Sequence, residues 1–163
     1  MPVTKQKSFL DSVADQDSLG TAQIKRYTPL ANIYPFNGKL AFKGDTVWYR
    51  NRQYPLVIID VSDEAVCSWK HLMVFNQQRK CTASLTIESD CDEDYSSDFT
   101  RMAFNISGPA SFSTTETFIN RGEGQRDKVT VTQQFYRINN DGKIIALNKK
   151  VKKFTQPENS EDI

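Results

Sequence analysis

A chain of 163 residues, 38% hydrophobic and 11% aromatic, is long enough for one ordinary domain with a real core. A formal net charge of +1 excludes a global field that would draw the protein to nucleic acid or membrane. The longest apolar run, YPLVIIDV at 54–61, is far too short to cross a bilayer as a helix, and residues 1–30 hold no run of signal-peptide length. The expected setting is therefore soluble and intracellular, the cytoplasm of a cell or host. A mature secreted form with an added Met reads the same.

In chain order, residues 1–20 form a polar N-terminal arm, within which SFLDSVAD predicts a short helix starting at Ser8, with Phe9, Leu10 and Val13 on one side. KLAFKGDTVWYRN predicts two short strands around Gly44-Asp45, and YPLVIIDV a central strand buried on both faces. SDEAVCSWKHLMVFNQQRK breaks the alternation. Ser62 suits an N-cap, Asp63 and Glu64 suit the first turn, and Val66, Trp69, Leu72 and Met73 fall at helical spacing, so one main helix is predicted over about 62–76. Period two then returns. Cys81, Ala83, Leu85 and Ile87 share one strand face, and Met102, Phe104 and Ile106 share another. ASFSTTETFIN has the Thr and Phe content of a strand, and NRGEGQRD reads as a hairpin loop. Residues 156–163 form an acidic C-terminal tail. The sum is a mainly β fold in a single domain over 21–155: an antiparallel two-layer sandwich or half-open barrel of about seven or eight strands with one main helix.

FYRINNDGKIIALNKKVKKF, at 135–154, carries a turn signal between two apolar-rich runs. A three-residue loop, Asn140-Asp141-Gly142, pairs Asn139 with Lys143 and puts Gly142 where a left-handed residue is wanted. That register collects Val129, Val131, Phe135, Ile145, Leu147 and Val151 on one face. Lys150 and Lys152 then share the solvent face with Thr130, Thr132 and Gln134, while Lys149, facing Gln133, and Lys153 point the other way. Lys149, Lys150, Lys152 and Lys153 form a candidate anion-binding strip; on an edge strand, lysines also guard against edge-to-edge pairing. The hairpin YRINNDGKII resembles the last strands of NTF2-like, curved-sheet pocket proteins, a likeness that implies an enclosed ligand site.

Other constellations are weaker. Cys67, His71, Cys81 and Cys91 hold the only histidine and all three cysteines within 25 residues, and Cys67 and His71 would share one face of the predicted helix, as a metal pair needs. No C-x-x-C accompanies them, and no metal site is assigned. A Cys81–Cys91 bridge is open to an exported form. DCDEDYSSD places acids at alternate positions, but Tyr95 and Arg101 stand where a calcium loop needs Gly and Glu. One histidine and no nucleophile motif leave acid–base and triad schemes without residues, so no catalytic residue and no cofactor is assigned.

Charge is distributed in blocks: residues 24–54 carry net +5, residues 60–98 net −6 and residues 128–153 net +6. Complementary blocks under a neutral total suit contact with a protein partner or with copies of the same chain. The expected function is a non-enzymatic β-rich interaction or assembly subunit, of the kind found in viral or phage structural assemblies. Nucleic acid or anionic lipid on the lysine strip would be a secondary, weak partner. The alternative is a small-ligand pocket protein, a class that includes enzymes, with an NTF2-like or lipocalin-like curved sheet.

Overall fold

The computed structural model describes residues 7–27, 40–48, 55–63, 67–91, 98–121 and 126–157. The fold is mainly β and antiparallel, with two short helices. The elements are α1 (Phe9–Ala14), β1 (Ser18–Leu19), α2 (Thr21–Lys25), β2 (Ala41–Trp48), β3 (Leu56–Ser62), β4 (Cys67–Phe75), β5 (Cys81–Cys91), β6 (Phe99–Gly108), β7 (Ser111–Asn120), β8 (Arg126–Ile138) and β9 (Ile144–Pro157). Strand order follows chain order through all nine. The described residues thus hold nine antiparallel strands in chain order, where about seven or eight were expected.

The chain forms two compact units. The first is Met1–Thr86 with Asp141–Lys143; the second is Ile87–Asn140 with Ile144–Ile163. The interval 21–155, expected as a single domain, spans both.

In the first unit β3 is the central strand, paired with β2 on one side and β4 on the other. Leu56, Val57, Ile58, Ile59 and Val61 are all buried, as a strand covered on both faces requires. One face stacks Phe42, Val57, Ile59, Val61, Met73 and Phe75 into a core with Phe9 and Val13 of α1. The polar arm expected over residues 1–20 is therefore in part structural. Ser8 caps α1 by accepting from the Asp11 amide at 3.2 Å. The helix ends in a Schellman turn: Asp17 N–H donates to Ser12 O at 2.9 Å and Gln16 N–H to Val13 O at 3.0 Å, with Gln16 at φ 58°. Six residues make no stable helix alone; burial of Phe9 and Val13 supplies what length does not.

Two local expectations are corrected. Residues 41–48 make one strand rather than two, because Gly44-Asp45 forms a bulge and not a turn, the register shifting between Gly44 and Thr46. The helix expected over about 62–76 does not form: Cys67–Phe75 is β4, paired residue for residue with β3 from Ser62↔Ser68 to Leu56↔Val74. His71 through Phe75 are buried without a break. A run buried on both faces has no periodicity to separate strand from helix, and here pairing with β3 decides. Asp63 closes the intervening turn, its Oδ1 accepting from Cys67 N–H at 3.0 Å.

In the second unit β6, β7, β8 and β9 form successive hairpins. One face carries Phe99, Ile119, Val129 and Phe154 across the four strands; the other carries Ile106, Phe112, Tyr136 and Ala146, with Phe112 and Tyr136 stacked at 4.9 Å. The β8–β9 turn has the expected geometry, Gly142 standing at φ 73° and Ile138 pairing with Ile144. Further along, the register slips by one: Phe135 of β8 stands across from both Leu147 and Asn148 of β9. The Gln134 side-chain amide donates to the Leu147 and Asn148 carbonyls at 3.0 and 3.3 Å, occupying acceptors that the bulge displaces. The slip exchanges the two faces of β9 beyond it.

Candidate functional site

The lysine strip lies on β9, which pairs with β8 alone. All four lysines are exposed. The bulge sets Lys150 across from Gln133 and Lys152 across from Val131, on the face of Val129 and Phe135 rather than with Thr130, Thr132 and Gln134. Their ammonium groups lie over neighbouring rings, Lys150 at 5.5 Å from the Phe135 centroid and Lys152 at 5.3 Å from that of Phe154. Lys149 and Lys153 take the opposite face, with Val151. Val151, expected on the apolar face, is 51% exposed across from Thr132. Two cations per face make a charged edge and not one convergent anion site.

The Cys–His set does not gather. In a strand, Cys67 and His71 are four residues apart and so about 13 Å along the chain, beyond the span of one metal ion. Cys81 is a free thiol, so the Cys81–Cys91 bridge open to an exported form is not present. Burial pushes the Cys81 thiol up. Among the described residues no group of three or more His, Cys, Asp or Glu could hold a metal ion. Most of the acidic stretch DCDEDYSSD, Gly122-Glu123-Gly124 and the C-terminal residues 158–163 lie outside the described residues.

His71 is instead a core residue. It stands in one row with Gly44 and Ile59, and burial alone lowers its pKa from 6.5 to about 4. In the unfolded chain the imidazole takes up its proton near 6.5, in the folded chain only near 4. Between these values the unfolded state binds more protons, so His71 favours folding fully above 6.5 and loses that contribution as pH falls toward 4. The loss comes to about 3 kcal/mol. Urea unfolding at about pH 7.5 and pH 4.5 should show it, and His71→Leu should flatten that part of the profile.

A cleft of about 430 Å³ lies in the first unit between α1, α2 and the end of β4. Sequence reasoning did not find it. Its apolar floor is a three-ring cluster: Phe9 and Tyr27 at 4.5 Å between centroids, Tyr27 and Phe75 at 5.1 Å, Phe9 and Phe75 at 5.8 Å. Among the described residues the charged members of its lining, Lys7, Arg26 and Arg79, are all cations. Lys7 is held by Asp15 at 2.7 Å and Asp17 at 2.6 Å, and those hydrogen bonds raise its pKa. The Arg26 and Arg79 side chains make no hydrogen bond or ion pair among the described residues. Arg79 sits at φ 59° in the turn after β4, where its N–H donates to Asn76 O at 2.9 Å. A side chain other than Gly in that conformation costs about 1 kcal/mol.

Elsewhere, Lys70 bridges Asp45 and Asp60, both at 2.7 Å; burial works against its charge, but the two carboxylates prevail and raise its pKa. No helix of the described residues is long and apolar enough to cross a membrane. Comparison with known proteins gives no match, whether to a family model, a curated protein or a solved structure.

Proposed function

We propose that the protein is a non-enzymatic β-rich interaction subunit that assembles with copies of itself through the unit built by β6–β9. The carrying observation is where apolar surface remains. Among the described residues the exposed large hydrophobic side chains are Ile106, Phe118, Leu147 and Val151, from 36% exposed at Phe118 to 51% at Val151. All four belong to the second unit, and the register puts Ile106, Phe118 and Val151 on one sheet face. Single exposed apolar residues are ordinary; a group on one face is a contact surface. Charge argues for a second copy as the occupant. Residues 128–153 carry net +6 and residues 60–98 net −6, so one chain offers what another lacks.

Light scattering on the pure protein should give a mass that rises above one chain with concentration across the micromolar range. Phe118→Ser with Val151→Thr should return it to a monomer at nearly unchanged thermal stability, because both positions are exposed. A monomer at every concentration for the unaltered protein overturns the reading.

A further inference from the structure

We infer that the cleft of the first unit binds a small ligand made of a flat aromatic body and an anionic group: an aryl carboxylate, sulfonate or phosphate. The inference is independent of the assembly reading, which concerns the other unit. Three observations carry it. The volume of about 430 Å³ lies within the range of small-molecule sites, and Phe9, Tyr27 and Phe75 give it an aromatic floor on which a planar ring can stack.

The charged side chains that line the cleft among the described residues are cations. Lys7 is taken up by Asp15 and Asp17, which leaves the guanidinium groups of Arg26 and Arg79 as donors for an incoming anion. Two planar forks beside an apolar floor suit an oxyanion joined to a ring and oppose a cation. Finally, the left-handed position in the turn after β4 is one that Gly would occupy without strain, yet Arg79 fills it at φ 59°. The turn is therefore not optimised for its own stability, and the side chain it displays lines the cleft.

The test uses the full chain and two dyes with the same ring system, 8-anilinonaphthalene-1-sulfonate and its uncharged counterpart N-phenyl-1-naphthylamine. The sulfonate should bind with one site in this unit and at least about tenfold tighter than the neutral amine, the margin of one charge-assisted hydrogen bond. Arg79→Gly removes the guanidinium and relieves the backbone. It should lower sulfonate affinity about tenfold, leave the amine unchanged, and keep or raise the melting temperature. Arg26→Gln should act on the sulfonate in the same direction. Amide shifts on titration should centre on Phe9, Gln23 and Phe75, and Phe118→Ser should not alter the affinity. Equal binding of the two dyes, no binding of either, or an Arg79→Gly variant with undiminished sulfonate affinity overturns the proposal. So does loss of the signal in Phe118→Ser, which would assign the dye to the exposed face of the second unit.

Discussion

Arg121→Ala is expected to destabilise the β6–β9 unit by about 3–5 kcal/mol. Arg121 follows β7 and Asp127 is the second residue of β8; their side chains are 6% and 1% exposed, and Arg121 Nη1 lies 2.6 Å from Asp127 Oδ2. Asp98, just before β6, fixes the same end, accepting from the Arg121 amide at 2.9 Å and from Asn120 Nδ2 at 3.2 Å. Removing the guanidinium takes from the buried Asp127 carboxylate the charged partner at 2.6 Å that helps offset its desolvation. Asp127→Ala should cost a similar amount by taking the same contact from the buried guanidinium. The double change Arg121→Met with Asp127→Leu should cost less than either single change, because it removes both charges and keeps the volume. Urea unfolding of the four proteins measures this. A single-variant loss below about 1 kcal/mol would mean that the pair is solvated and holds nothing together.

What could be read along the chain was whatever one segment settles by itself. Ser8 as a cap, a strand over Cys81–Ile87, the buried run of β3 and the Gly142 turn each depend on a few consecutive residues, and each is found. Properties set by distant segments were not legible. The helix was expected over 67–75 because Trp69, Leu72 and Met73 happen to fit helical spacing, while His71–Phe75, buried on both faces of β4, show no alternation to oppose it. The bulge at Leu147-Asn148 has no local turn residue; its support is Gln134, on the neighbouring strand. That one inserted residue moved Val151 to solvent and Lys150 to the other face. The cleft draws its rings and cations from α1, the segment after α2, the end of β4 and the following turn, which no pattern in sequence links.

Gly44→Ala should be comparably damaging in the first unit, by a different route. A Cβ added at residue 44 would stand 2.5 Å from Val13 Cα, 2.7 Å from Val13 O and 3.0 Å from Ser12 O. These are backbone atoms of α1, and no rotamer change relieves them. The helix must retreat by about 1 Å or more to restore ordinary contact. It is tied in place, since Gly44 N–H donates to Asp17 O at 2.9 Å and Val13 is fully buried. The expected cost is about 3 kcal/mol or more, the upper end for overpacking, because the obstacle is main chain. The damage should be local at first: amide exchange should quicken over residues 9–19 while β6–β9 keeps its protection. His71 provides a second readout. It lies in the same row as Gly44, and its low pKa comes from burial. A lifted helix admits water, so the imidazole should titrate closer to 6.5 in the variant than in the unaltered protein, a shift that NMR of the single histidine can follow. A Gly44→Ala variant with unchanged stability and an unmoved His71 titration would mean that α1 does not rest on β2 at Gly44.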